Sequence, residues 1–300
     1  MKALLEKKFL LTEIKCPFVP TVYLDTLKTL IKHTDISSIS AVQEPLTELE
    51  NHCKKTLEKN VEKKELRVEN DYGDSILRLK ELRFIIQVNI SYRKKESIYV
   101  DLVEKFLQRY FQNEKLYVFD DHEPLRFVLE KLEKHLKKIS PLPEAVEKKI
   151  QNLLITCLAQ GASITTEFMW CVSLILGILN ETASRHALDA QQIEVLLGVI
   201  EILYKQFNQN SRVMKPLIKL LGLIVKLSKK NESKLFAHCV SLYLSVCNEF
   251  SKSDQKDFLR ISTIKSLKVS FLDVTGYVKE PQQLFDLAII MIRLLQDEIP

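Results

Sequence analysis

Apolar side chains recur at the 3.6-residue period of an α-helix along the second half of the chain. Seven such stretches begin near residues 144, 165, 189, 212, 232, 254 and 281, so helices follow one another at a step of about 20–27 residues. Each helix must bury its apolar stripe, and the neighbouring helices are the nearest surfaces available. The pattern therefore predicts an all-α fold of stacked, antiparallel helix pairs.

The stretch after Asp189 has the clearest start signal. Asp189 and Gln192 have the spacing of a capping box, in which each side chain bonds the backbone N–H of the other residue. Val195, Val199 and Ile202 form a second apolar flank, which predicts a helix buried on two sides. Its main face carries seven apolar residues at helical spacing: Ile193, Leu196, Leu197, Ile200, Leu203, Tyr204 and Phe207.

Similar signals mark the helices that follow. Ser211 is a candidate N-cap, and Pro216 predicts a kink because proline lacks the N–H that the helical ladder requires. Pro281 is expected to begin the last helix, whose predicted apolar stripe is Leu284, Leu287, Ala288, Met291 and Leu295. Close approach of a neighbouring helix is the expected reason for three glycines inside helices: Gly177, Gly198 and Gly222.

The first half of the chain is more charged and less regular. Residues 1–150 hold 53 charged side chains and residues 151–300 hold 30, with the proline-dense joint 140–143 near the change. This contrast predicts a charged, irregular helical region over 1–140 and a regular helical-repeat region over 144–300, with one continuous stack as the alternative. Residues 84–92 also have strand propensity. Helices are expected after Pro20, from Pro45 to about residue 61, after Asp74, around Tyr99 and from Asp121.

Composition favours helices and argues against several kinds of site. Six glycines in 300 residues are too few for the turns of a many-stranded sheet or for a glycine-rich phosphate loop. The six cysteines are irregularly spaced and include no CxxC pair. Reduced, mostly buried thiols in an intracellular, reducing compartment are therefore expected, without disulfides or zinc. The longest apolar run, 168–179, spans 12 residues and is too short to cross a bilayer.

The helix step makes each helix pair about 45 residues long. In pair length, helix length and two-sided burial, the region 144–300 resembles the HEAT and armadillo repeat families, whose repeats take about 40–47 residues. The resemblance lies in the architecture and quotes no repeat consensus. It implies a superhelical stack of helix pairs whose second helices line a groove. Proteins of this type are frequently nuclear subunits of larger complexes.

One helix of the second half carries a stripe of basic side chains. The segment from residue 212 to residue 230 contains no acidic residue. Its face with offsets 0, 3, 7, 14 and 18 carries five cations: Arg212, Lys215, Lys219, Lys226 and Lys230. Such a stripe attracts an acidic peptide or a phosphate backbone. The alternative is an ordinary solvated face whose charge is balanced by neighbouring helices.

Catalytic and metal-binding patterns are missing from the sequence. The six histidines are scattered, and no GxSxG, P-loop or kinase signature occurs. His135 is interpreted as part of a solvated basic face, the pair His52-Cys53 as a chance adjacency, and His238-Cys239 as core packing. The acidic run Asp120-Asp121-His122-Glu123 is interpreted as a helix N-terminus, which favours acids, and not as a metal site.

These observations lead to two hypotheses about function. The first is a non-enzymatic protein–protein interaction scaffold, one subunit of a larger intracellular complex, with nucleus and cytoplasm both open. Its partner would be a protein, acidic where it meets the basic stripe, and no membrane, cofactor, metal or small-molecule substrate is expected. The alternative is a helical nucleic-acid-binding module that uses residues 212–230. Acidic side chains of neighbouring helices interrupting the stripe would count against this alternative.

Overall fold

The computed structural model describes residue 5 and residues 18–33, 40–62, 71–112, 122–138, 141–160, 168–228, 233–252, 257–275 and 281–296. These residues form twelve α-helices and contain no strand, which confirms that the fold is all-α; the HEAT/armadillo-like superhelix stays a prediction. The chain divides into two compact units, Met1–Val128 and Leu129–Pro300. The boundary predicted at the proline joint stays a prediction.

The first unit is built around its third helix. Its helices are α1 (Phe18–His33), α2 (Ser40–Glu62), α3 (Asp71–Gln87) and α4 (Ile98–Gln112). α1 and α2 both pack against α3, and a π-helical turn, Val88–Tyr92, continues α3, so the segment with strand propensity is helical. Pro20 lies inside α1, whereas the sequence placed it before this helix, and Pro45 lies inside α2, whereas the sequence placed it at the start. Pro20 is the third residue of α1, where a helix N–H has no intrahelical partner, whereas Pro45 lies further in, so α2 lacks one intrahelical bond there.

A buried carboxylate connects α2 to the π-helical turn. Glu50 is fully buried; its Oε1 accepts a hydrogen bond from Asn89 Nδ2 at 2.9 Å, and Arg93 pairs with its Oε2 at 2.8 Å. Cys53, one turn further along α2, is also fully buried, so it belongs to the core. Burial, together with the nearby carboxylates of Glu81 and Glu50, raises the pKa of the Cys53 thiol.

The second unit is a stack of consecutive helices. α5 (His122–Lys138) crosses the division between the units, and Glu144 begins the next helix near the predicted position. The helices that follow are α6 (Glu144–Gln160), α7 (Met169–Ala183), α8 (Ala190–Phe207), α9 (Ser211–Ser228), α10 (Ser233–Phe250), α11 (Asp257–Thr275) and α12 (Pro281–Leu295). Their starts lie within four residues of those that the periodicity predicts.

Helices two apart in this sequence lie side by side. α8 packs against α6 and α10, and α10 packs against α12. In the same way α9 packs against α7 and α11. Consecutive helices pack across the two sets at α6–α7 and at each step from α8 to α12, so the even-numbered helices from α6 to α12 form one layer and α7, α9 and α11 form the other. Each of these helices buries apolar side chains in the core.

The α8 capping box is present as predicted, but the second flank of this helix is only partly buried. The Asp189 side chain accepts from the Gln192 N–H, and the Gln192 side chain accepts from the Asp189 N–H. Val199 is buried, whereas Val195 is 37 % exposed and Ile202 is 53 % exposed, so the prediction of burial on two sides is confirmed at Val199 and wrong at the other two positions. Gly198, on the same helix, has open space beside it, and close helix approach does not explain it.

The last helix is rotated relative to its predicted face. The buried residues of α12 are Leu287, Ile290 and Leu294. Of the stripe predicted from the sequence, only Leu287 is buried, while Leu284 is 44 % and Leu295 is 76 % exposed. Apolar residues cover most of α12, so the 3.6-residue period is compatible with more than one buried face.

A chain of hydroxyl groups runs through the core between α9, α10 and α11. The Ser270 hydroxyl donates to Tyr243 Oη at 2.8 Å, Tyr243 donates to Ser266 Oγ at 3.0 Å, and Ser266 donates to the Ile218 carbonyl at 3.0 Å. Burial raises the pKa of the Tyr243 hydroxyl. Gly222 makes room for this chain, because a Cβ at its position would overlap Ser266 Oγ. Close helix approach therefore explains this glycine.

Candidate functional site: the basic surface of α9

The cations predicted to form a binding surface lie on the exposed side of α9. Arg212, Lys215, Lys219 and Lys226 are exposed, and Lys230 lies outside the described residues. The opposite side of α9 is buried and carries Val213, Met214, Leu217, Ile218, Leu220, Leu221, Gly222, Ile224 and Val225. We call the four described cations, with the side chains that contact them, the basic surface of α9. The N-terminus of the helix is capped by Asn210, and not by the predicted Ser211, since Asn210 Oδ1 accepts from the Arg212 N–H at 3.0 Å.

Two of these cations are held against aromatic rings. The Arg212 guanidinium lies 3.4 Å from the centroid of the Trp170 ring, and Trp170 at the start of α7 is 37 % exposed. Lys215 Nζ lies 5.2 Å from the centroid of the Phe258 ring on α11. Cation–π contacts at exposed sites contribute about 0.5–1 kcal/mol each. They restrict the side chains to fewer positions, so binding an anion there loses less conformational entropy.

A carboxylate of the neighbouring helix interrupts the cationic stripe. Lys219 Nζ lies 3.4 Å from Glu181 Oε1 on α7, and the two side chains are 65 % and 25 % exposed. This separation is longer than the 2.7–2.9 Å of a strong charge-assisted hydrogen bond. The pair is therefore weak, and Lys219 can rotate towards solvent or towards a ligand.

Side chains of α7 bond the backbone of α9 around Pro216. It has no N–H, so the Arg212 carbonyl lacks its helical partner and accepts instead from Ser173 Oγ on α7, at 2.8 Å. Asn180 Nδ2, also on α7, donates to the Pro216 carbonyl at 2.8 Å and to the Leu176 carbonyl at 2.8 Å. Two hydrogen bonds thus connect α7 to α9 across the proline.

A cleft of about 230 Å³ lies beside these bonds, where α5, α7 and α9 meet. Gly177 forms part of its wall, and a Cβ at this position would lie 2.5 Å from Glu133 Oε1. Glu133 Oε1 also accepts from Lys137 Nζ at 2.7 Å. The cleft is lined by Glu133, Lys137, Ser173, Gly177, Asn180, Glu181, Pro216 and Lys219.

The sequence did not reveal Glu133, Asn180 and Glu181 as members of this site. They stand on α5 and α7, and only the packing of these helices against α9 brings them beside Lys219. Trp170 carried a weak signal, because it is the single tryptophan of the chain, and large aromatic side chains are rarely left at a surface without a contact.

The remaining candidate residues are not brought together. His135 is buried, so its interpretation as part of a solvated face is wrong. The core-packing interpretation of His238-Cys239 is confirmed for Cys239, which is buried, and wrong for His238, which is on the surface with its Nε2 3.1 Å from Glu201 Oε1. Among the described residues, no group of three His, Cys, Asp or Glu side chains is arranged to hold a metal ion. Of the acidic run 120–123, Asp120 and Asp121 lie outside the described residues, while His122 and Glu123 stand at the start of α5.

The cysteines of the second unit are core residues. Cys157, Cys171, Cys239 and Cys247 are thiols outside any disulfide, and all four are buried, as the helix faces predict. Burial raises the pKa of the Cys247 thiol to about 12 and also raises the pKa values of Cys157 and Cys239. None of the described helices is both long and apolar enough to pass through a membrane.

The architecture and the α9 surface define the class: an all-α protein with two layers of helices in its second unit. No protein-family model matches the chain, and no curated protein or solved structure shows significant similarity to it.

Proposed function

We propose that this chain is a non-enzymatic interaction scaffold of the HEAT/armadillo type, a subunit of a larger intracellular complex, and that α9 holds an acidic segment of a partner protein. The observation that carries the proposal is the exposure of Arg212, Lys215, Lys219 and Lys226 on one helix whose other side is in the core. Nucleus and cytoplasm are both compatible with the proposal.

The layered packing supports a scaffold because it keeps the binding residues in fixed register. α9 contacts α7, α8, α10 and α11, so its buried side is enclosed by neighbours. The aromatic contacts of Arg212 and Lys215 further limit the motion of two cations. A ligand that meets such a surface loses little free energy to ordering of the protein.

Nucleic acid is the alternative ligand, and two observations count against it. Glu181 lies within 3.4 Å of Lys219 and places a negative charge inside the stripe, where a phosphate backbone would pass. One face of Trp170 is covered by Arg212 at 3.4 Å, so that face is closed to a stacking base.

The proposal is tested by anisotropy titrations with a fluorescein-labelled deca-glutamate peptide at low ionic strength. Reversal of Lys215, Lys219 and Lys226 to Glu removes three attractions and adds three repulsions, so we expect affinity to fall at least about tenfold. Added salt should produce the same loss, since exposed charges are screened over about 10 Å at 0.1 M. The matched control reverses three exposed lysines on other helices, Lys55, Lys205 and Lys234, and should bind as the wild type does.

An oligothymidylate of equal charge distinguishes the two ligand classes. If it binds more tightly than the peptide, with a salt slope of about 0.7 per phosphate contact, the nucleic-acid alternative replaces the proposal. If the α9 reversal and the control reversal weaken peptide binding equally, attraction depends on net charge alone, and α9 is an ordinary solvated surface.

A further inference from the structure

The cleft between α5, α7 and α9 has the opposite polarity to the basic surface around it. Its wall carries two carboxylates, Glu133 and Glu181, and the side-chain amide of Asn180. Lys137 and Lys219 stand beside the two carboxylates and are 48 % and 65 % exposed. The cations therefore extend to the rim, while the enclosed positions hold hydrogen-bond acceptors.

The orientation of the Asn180 amide is fixed by its neighbours. Nδ2 lies 2.8 Å from two carbonyl oxygens, those of Leu176 and Pro216, and only the nitrogen can donate to both. Asn180 Oδ1 is consequently fixed as an acceptor, and it has no hydrogen-bond partner although Asn180 is 2 % exposed. A buried acceptor without a donor costs free energy, so a ligand that supplies an N–H there is favoured.

The two carboxylates flank this acceptor from different helices. Glu133 belongs to α5 and passes over Gly177, where the missing Cβ leaves room for its Oε1. Glu181 follows Asn180 directly on α7, and its contact with Lys219 is long at 3.4 Å. An incoming cation can therefore replace Lys219 beside Glu181 while Lys219 turns into solvent.

We propose that this cleft receives the guanidinium group of an arginine side chain from the partner. A guanidinium presents five N–H donors in one plane, which suits acceptors spread over several positions, whereas an ammonium is a compact point charge. An anionic side chain is excluded by Glu133 and Glu181. The inference deepens the proposed function and rests on it: the partner segment carries an arginine among its acidic residues.

The test uses N-acetyl-arginine-methylamide as the probe and the full chain labelled with [15N]glycine. The chain has six glycines, so six backbone signals are expected, and that of Gly177 is assigned by its loss in Gly177→Ala. Titration at constant ionic strength should shift the Gly177 signal to saturation and leave Gly198 unmoved. N-acetyl-lysine-methylamide, with the same charge, should bind at least about tenfold more weakly.

Variants assign the binding to the cleft. Glu133→Gln and Glu181→Gln keep the side-chain shape and should each weaken the arginine probe about tenfold, while Glu201→Gln on α8 should change nothing. Lys219→Glu should tighten the arginine probe and weaken deca-glutamate. If the unsubstituted chain binds the arginine probe but not deca-glutamate, the acidic-partner proposal is refuted and the cleft assignment is not. Equal binding of both probes, an unmoved Gly177 signal or full affinity in the two Gln variants would each overturn the arginine assignment.

Discussion

Substitution of Gly222 by Ala tests whether the hydroxyl chain limits the packing of α9. The new methyl group would overlap Ser266 Oγ, which is held between the Tyr243 hydroxyl and the Ile218 carbonyl. Overpacking of a core costs about 1–3 kcal/mol, and displacement of Ser266 costs about 1 kcal/mol for each weakened hydrogen bond. The better helix propensity of Ala offsets about 1 kcal/mol of this loss. We expect Gly222→Ala to lower the free energy of unfolding by about 2 kcal/mol.

Removal of the overlapping atom should remove most of this loss. Ser266→Ala alone deprives the Tyr243 hydroxyl of its acceptor and should cost about 1–3 kcal/mol. In the double variant the methyl group introduced by Gly222→Ala occupies the space of the missing hydroxyl. The double variant should therefore be at least as stable as Ser266→Ala alone, which corresponds to a favourable coupling energy of about 2 kcal/mol.

Urea denaturation followed by tryptophan emission measures these differences. Trp170 is the single tryptophan and lies on α7, in the same unit as Gly222, so its emission reports on this unit. Gly198→Ala is the matched control, because it adds the same methyl group where nothing lies within 4 Å; it should stabilise the helix by up to about 1 kcal/mol. If Gly222→Ala is as stable as this control, or if the two single effects add, the steric explanation is refuted.

Four further predictions concern the buried cysteines and the helix α8. Thiol titration of the native protein should leave five cysteines unreacted until denaturant is added: Cys53, Cys157, Cys171, Cys239 and Cys247. The free energy of unfolding should fall as the pH rises above about 8.5, because the unfolded thiols ionise there while burial keeps the folded pKa values higher, so the unfolded state binds fewer protons. Asp189→Ala should cost about 0.5–2 kcal/mol in urea denaturation through loss of the cap. Val195→Lys and Ile202→Lys should each change stability by under about 0.5 kcal/mol, whereas Ile200→Lys at the buried face should cost several kcal/mol; equal losses would mean that the second flank is buried after all.

Two helix starts were predicted correctly from local signals. The capping box at Asp189 and the start at Pro281 depend on residues within one turn, and both match the structure. Helix faces were predicted less well in apolar helices, as Val195, Ile202 and Leu295 demonstrate. The helical period reports which residues share a side of the helix, while burial depends on where the neighbours lie.

The same distinction between local and long-range information applies to the candidate site. The cations of α9 share one helix and could be found from their spacing. Glu181 modifies that surface from α7, 38 residues before Lys219, and no sequence period connects the two positions. The unpaired acceptor of Asn180 depends on the carbonyl of Pro216, so it exists only once α7 and α9 are packed. The parts of the site that could not be predicted from the sequence are therefore those that depend on contacts between distant segments.

The missing N–H of Pro216 also has a mechanical consequence. Under load a helix is usually weakest where a proline interrupts it, since one backbone hydrogen bond is lost there. In α9 the freed Arg212 carbonyl is bonded to Ser173, and the Pro216 carbonyl is bonded to Asn180, so tension along α9 passes sideways into α7 at this point. When the chain is pulled from its ends, α7 and α9 should resist extension as one element and yield together in a single force peak.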